Sequence, residues 1–405
     1  MTLKRDDVRP AQRSAPPLWL LAMLTLSGTL AIHIFVPALP KVVEAFNTTT
    51  GMAQLTLSTY VIGLAIAQVI YGPMADYFGR RPVMAVGMTI FALSGAVALF
   101  AASIEVLIVA RFFEAIGGGA GLVLGRTMVR DGSTPEEAAR KLSLMNLMVM
   151  IGPGVSPLIG SALAAATGWR SIFAVLCLLG LVNLLLIWRR LPPSQLHGQR
   201  SVSEVAHNYF NLCRSSRFLG YAIGGGFSTT AMYAYLGAAP FIFVHQLNRP
   251  VSEVGLFLAL NMVGPWLGSL TASRLVGRAR TGRLMIVGNL ISCCSVLVLL
   301  LVMVNGQLSV AWMVATMFVF SYGAGMTSPM ALTEALSLNP AATGSASGLY
   351  GFMQMMVGAL CAALSGLGDN PALATAVTLM AAGIIAQLSF WVARRPPRQT
   401  VQPAL

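Results

Sequence analysis

Twelve apolar runs, each about long enough to cross a bilayer as a helix, follow one another along the chain with short polar breaks between them. They fall at about 18–39, 51–73, 83–102, 105–129, 142–165, 170–189, 218–244, 253–274, 283–304, 309–333, 344–366 and 371–393. A spanning helix needs roughly 20 predominantly apolar residues. Each run is bounded by charges, Pro, Asn or Gly, which punctuate helices and mark interfaces. The pattern predicts an all-α membrane protein of twelve transmembrane helices. The longest polar connection, Arg189 to Arg217, carries Pro192, Pro193 and a mixture of Ser, Gln, His and Arg, and separates six runs from six. The predicted organisation is a tail over 1–17, a six-helix half over 18–189, a linker over 190–217, a second six-helix half over 218–393 and a tail over 394–405. The halves echo one another weakly. Gly72 to Arg81 leads into Met84, and Gly268 to Arg283 leads into Met285, with Ala272 where the first copy has Asp76.

Composition agrees. Of 405 residues, 56% are hydrophobic and 10% charged, with a mean hydropathy of +0.75, against about 25% charged in soluble domains. The net charge of +13 would suit a nucleic-acid binder, but such proteins carry their charge as patches on a soluble domain. Here it lies between apolar runs. With the N-terminus in the cytoplasm, inside segments hold 22 Lys and Arg residues and outside loops only Lys41, Arg170 and Arg249, so the positive-inside rule places both termini in the cytoplasm. Lys4, Arg5, Arg9 and Arg13 before the first run could be read as a signal peptide; the many similar runs that follow favour a retained helix. The five cysteines are odd in number and without ligand spacing, so neither disulfides nor a metal site are expected. The sequence lacks a G-x-x-x-x-G-K loop for ATP and a convergent catalytic set, so no cofactor and no enzyme activity are expected.

The second run closes on Gly72-Pro-Met-Ala-Asp76-Tyr-Phe-Gly79-Arg80-Arg81-Pro82. This matches the G-x-x-x-D-x-x-G-R-R signature of the major facilitator superfamily, in the loop where that family carries it. Gly72 would permit close helix contact, Gly79 the turn, and Asp76 would face the positive N-terminal end of another helix. The resemblance implies that this partner is helix 11, near Thr343-Gly344-Ser345. It further implies that the loop arginines link to an acid ending helix 4, a role Asp131 fits. Gly72, Asp76, Gly79, Arg80, Arg81 and Asp131 would then latch a cytoplasmic gate. In that superfamily two parallel six-helix halves enclose a substrate site near the bilayer midplane.

Three further segments extend the resemblance. Helix 4 carries Arg111-Phe-Phe-Glu114-Ala115-Ile-Gly117, similar to the family's R-x-x-Q-G-x-G but with an acid in place of Gln and Ala115 in place of the Gly after it. An ionisable residue inside a membrane is a functional hypothesis by default; an i,i+3 pair that merely neutralises itself is the alternative. Helix 5 carries Gly152-Pro153-Gly154-Val-Ser156-Pro157-Leu-Ile-Gly160-Ser161, resembling the family's antiporter signature with Ser156 and Ser161 in place of glycines. Ordinary packing of small residues is the alternative there. Helix 1 ends Ala31-Ile-His33-Ile-Phe-Val-Pro-Ala-Leu-Pro40, and Gln54-Leu-Thr-Leu-Ser58-Thr-Tyr60 follows. Both resemble the bicyclomycin/chloramphenicol resistance subfamily of drug:proton antiporters, whose membrane Asp is His33 here. Counting about 1.5 Å per residue puts His33 roughly 9 Å from the outer end of helix 1 and Arg111 about as deep in helix 4. The expectation is a proton-coupling couple of His33 and Glu114 held by Arg111.

Tyr60, Asn146, Tyr233, Asn261, Tyr350 and Gln354 are polar or aromatic positions within spans that could bind substrate or bond to another helix. The resemblance implies a monomeric secondary transporter of a bacterial inner membrane, exporting small amphipathic or apolar compounds against protons by alternating access. A carrier of one metabolite, such as a purine, sugar or amino acid, is the alternative. Expected partners are a small-molecule substrate, protons and membrane lipid.

Overall fold

The computed structural model describes residues 16–130, 134–192, 202–338, 343–368 and 370–394. Twelve helices are long and apolar enough to span a bilayer: α1 Leu18–Phe46, α2 Thr50–Phe78, α3 Arg80–Leu99, α4 Ile104–Arg130, α5 Pro135–Ala166, α6 Arg170–Arg190, α7 Ser216–Gln246, α8 Val251–Leu275, α9 Thr281–Val304, α10 Val310–Ser337, α11 Thr343–Leu364 and α12 Pro371–Ala393. No strand occurs among the described residues, as expected where lipid offers backbone groups no partners. Side-chain caps set several starts: Thr49, Thr134, Ser215, Ser309 and Asn370 each accept a bond from a first-turn amide of α2, α5, α7, α10 and α12. Gly79, at φ 87°, separates α2 from α3 without a loop; the left-handed region is open to glycine and strains other residues.

Three elements differ from the sequence expectation. α1 does not stop near residue 39; after the tight turn Val36–Ala38 it continues as Leu39–Phe46. α5 starts at Pro135 rather than near 142. The polar connection contains an amphipathic helix, Val202–Arg214, whose Tyr209 and Leu212 pack against the second half. We call the end of the bundle that holds this helix the linker end, and the opposite end the far end.

The packing divides along the membrane normal. At the far end one apolar core runs through both halves, from Ile34, Phe35, Leu57 and Phe173 to Leu236, Phe241, Leu258 and Leu379. At the linker end there are two cores. One holds Leu20, Leu24, Tyr71, Met84 and Met145, the other Phe218, Met285, Met330 and Phe390. The halves are therefore joined at the far end and parted at the linker end. Gln54 of α2 meets Ser365, just beyond α11, at 3.3 Å in the joined region. The two helices stay adjacent as far as Gln68, which lies against both Gly351 and Gly348. One turn further on, Gly72 has no atom within 4 Å of where a Cβ would stand, so the close contact expected there is not made in this conformation.

The echo between the halves recurs in the helix crossings. α3 and α4 cross at Gly87 and Gly117, and α9 and α10 at Gly288 and Gly323; in each pair a Cβ on one glycine would press on the other's carbonyl. Basic side chains close several helix ends. Arg81 donates to the Trp188 carbonyl of α6 at 2.8 Å, Lys41 to Ala164 of α5 at 2.6 Å, and Arg170 to Ala101 beyond α3 at 3.0 Å. Each satisfies a terminal carbonyl and opposes the negative end of a helix dipole.

Candidate functional site

Arg111 is the largest wholly buried side chain among the described residues. A guanidinium cannot shed its charge, so its burial demands compensation from every side. Glu114, one turn along α4 and equally buried, accepts from it at 2.7 Å. The Ala31 carbonyl of α1 accepts a second bond at 3.1 Å. Three rings surround the plane: Tyr60 of α2 at 4.0 Å from its centroid, Phe35 at 5.0 Å and Phe173 of α6 at 5.8 Å, all in cation–π range. Tyr60 is fixed in turn by donating to the Gly28 carbonyl at 2.8 Å. Four helices thus converge on one charge pair. The pair still retains unused capacity: Glu114 Oε1 and Arg111 Nε are buried with no hydrogen-bond partner among the described residues.

His33 is buried too, but the structure does not bring it against Glu114. Its Nδ1 bonds to the Thr29 carbonyl of its own helix at 2.8 Å. Ala31 and Phe35 share the stripe of α1 that faces Arg111, and His33, two residues from each, lies about 200° around the helix. The depth reckoned from helix ends also fails for α1, because that helix runs on to Phe46.

The antiporter-like segment lies on α5 where both halves meet. A Cβ on Gly160 would strike the Ile34 carbonyl of α1, whereas one on Gly152 would meet only the end of the Leu26 side chain. Pro153 and Pro157 are inside the helix, where each removes a backbone bond. The Pro157 carbonyl and the Ser161 hydroxyl lie against Gly255 of α8 in the other half. Ser156 is buried with its hydroxyl unpartnered among the described residues. Gly160→Leu should therefore lower the unfolding temperature in detergent by the equivalent of about 1–3 kcal/mol of overpacking, and Gly152→Ala should leave it nearly unchanged. Equal shifts would contradict the difference between a backbone and a side-chain neighbour.

The remaining polar candidates are dispersed. Asn261 of α8 accepts from Ser321 of α10 at 2.8 Å. Gln354 of α11 donates to Thr229 at 2.7 Å, and its carbonyl accepts from Thr230 at 2.6 Å, which ties α11 to the break in α7. The Tyr233 ring packs on Gly358, and Tyr350 is buried beside Gly225 with its hydroxyl unpartnered among the described residues. Asn261 and Gln354 thus serve helix–helix bonding in this conformation. The Asn146 side chain and Asp131 lie outside the described residues. In the gate segment Asp76 is half-buried and ion-paired to no described residue, while Arg81 holds the end of α6. Phe35, Phe173 and the Ala31 carbonyl are the site members that sequence reasoning missed. Nothing in their local pattern marks them, since apolar residues fill every span.

Comparison with known proteins follows the same lines. The family model described as Major Facilitator Superfamily matches residues 21–363. A bicyclomycin resistance protein homolog of Haemophilus influenzae is 25% identical, covering 92% of this chain and 94% of the relative. Multidrug resistance protein D of Escherichia coli is 28% identical, over 88% and 90%. Among solved structures, a bacterial homolog of the human lysosomal transporter Spinster, in an inward-facing and unoccupied conformation, superposes with a TM-score of 0.73 at 17% identity, over 94% of this chain and 98% of that one. With twelve spans in two joined halves and a family match over most of its length, the chain belongs to the major facilitator superfamily of membrane transporters.

Proposed function

We propose that the protein is a proton-driven exporter of small amphipathic or apolar compounds, resident in a bacterial inner membrane with both termini in the cytoplasm. The observation that carries the reading is the buried Arg111–Glu114 pair, with one carboxylate oxygen facing no donor. That oxygen can take one proton, and taking it releases Arg111 to its backbone and aromatic partners. The drug-resistance relatives, matched over about nine tenths of both chains, support export of such compounds. On this reading the conformation described here is open to the cytoplasm, and rocking of the two halves would close the linker end while the far end parts. His33 acts as a second proton carrier on the opposite side of α1. Asp76, Arg80, Arg81 and Asp131 latch the linker end in the other state, and Gly152, Pro153, Ser156, Pro157 and Gly160 hold the seam against leakage. Tyr60, Asn146, Tyr233, Asn261, Tyr350 and Gln354 supply polar groups toward substrate as the helices move.

The test is expression in an efflux-deficient bacterium across a panel of antibiotics and dyes, with and without a protonophore. Raised tolerance that the protonophore abolishes is expected for some members of the panel. Unchanged tolerance to every compound, at verified membrane abundance, would overturn the export reading.

A further inference from the structure

Outside the charged site, two grooves open on the outer wall of the bundle toward lipid. The first, with a volume of about 490 Å³, lies between α3 and α4. The second, about 510 Å³, lies between α9 and α10. They are copies of one another. Adding 201 takes the crossing residue Gly87 to Gly288, and likewise the groove residues Ile90, Ser94 and Val97 to Ile291, Ser295 and Val298. Adding 206 takes Gly117 to Gly323, and the groove residues Ala110 and Phe113 to Thr316 and Val319. In both, small buried side chains form the floor, Ser94 with Ala110 and Ser295 with Thr316. Exposed apolar ones, Val97 and Phe113 against Val298 and Val319, form the walls. Each groove lies between the glycine crossing and the far end.

The copies differ at the rim. Glu105, in the first turn of α4, borders the first groove. It is exposed, accepts hydrogen bonds from the Ser103 hydroxyl and its own amide, and is ion-paired to no described residue, which leaves the carboxylate charge open to an ammonium. The same addition of 206 gives the uncharged Ala311, and the rim of the second groove carries Trp312, a residue that favours the membrane interface. A slot with a small-residue floor and apolar walls, opening to the bilayer, fits a hydrocarbon chain. A carboxylate at its headgroup end complements an ammonium. We propose that the α3–α4 groove binds a phospholipid with a primary-ammonium headgroup, its chain in the slot and its ammonium on Glu105. The α9–α10 groove takes a chain without regard to headgroup.

The second groove serves as an internal control. The purified full chain would be incubated with phosphatidylethanolamine or phosphatidylglycerol bearing the same photoreactive acyl chain, irradiated, and its adducts mapped by mass spectrometry. Phosphatidylethanolamine should label the α3–α4 peptides about five-fold more than phosphatidylglycerol, the scale of one interfacial ion pair. The α9–α10 peptides should be labelled alike by both. Glu105→Gln should remove the preference at the first groove only. Val97→Trp, a surface change that fills the slot, should remove labelling there while leaving the second groove intact. Equal labelling of the first groove by both lipids in the wild type would overturn the proposal. So would a preference that survives Glu105→Gln, or labelling of both grooves no stronger than that of the exposed α6 face around Leu181.

Discussion

Arg111→Ala should accumulate in the membrane at a small fraction of the wild-type level, and the inserted protein should unfold at a much lower temperature in detergent. The substitution leaves Glu114 buried and unpaired. Removing one partner of a buried ion pair costs about 3–5 kcal/mol. The guanidinium also fills the space between Tyr60, Phe35 and Phe173, and losing those contacts adds about 1 kcal/mol. Arg111→Leu combined with Glu114→Leu should regain most of the thermal stability, because a buried pair replaced by apolar groups is often neutral for folding. It should not regain transport. Glu114→Gln isolates the proton: its amide oxygen can still accept from Arg111, so the protein should fold and bind substrate yet ignore a pH gradient in proteoliposomes. Wild-type stability of Arg111→Ala would mean that the pair is not the anchor described here. Gradient-driven transport by Glu114→Gln would move the proton to another residue.

Asp76→Asn should slow turnover several-fold without destabilising the conformation described here. The carboxylate is ion-paired to no described residue while the linker end is parted, so neutralising it breaks no described ion pair of this state. Its proposed partners engage only when the halves close at that end. A partly exposed interaction of this kind is worth on the order of 1 kcal/mol, which shifts a two-state balance about five-fold toward the parted form. Spin labels at the linker ends of α4 and α10 would report this as a greater share of long distances. Unchanged distances together with normal turnover would remove Asp76 from the gate.

Much of the architecture was legible in the chain because lipid imposes a simple rule: a helix must stay apolar for the width of the bilayer. Twelve runs, their order and the central connection follow from that rule. The rule is silent once a helix leaves the hydrocarbon, which is why Leu39–Phe46 and the start of α5 were missed. The Val202–Arg214 helix was missed for another reason. Its signal is amphipathic spacing, Val205, Tyr209 and Leu212 on one side, within a segment whose mean polarity reads as loop. At the site, Arg111 and Glu114 were legible because charges are costly in a membrane. The position of His33 was not, since side-chain direction around α1 depends on which stripe meets α4. Only the packed helix shows that Ala31 and Phe35 occupy it.

The basic residues at the far end carry one further consequence. Lys41 and Arg170 each hold a helix-terminal carbonyl, and Arg249 is bound to Glu253 at 2.7 Å. These are the very residues that break the charge asymmetry of the loops. With the termini in the cytoplasm, as proposed, these three are cations on the translocated side, where they weaken the sorting signal during insertion; each has a structural reason to persist. Neutralising them should sharpen the orientation signal while loosening the helix ends. Topology reporters and thermal stability would then move in opposite directions in the same variant.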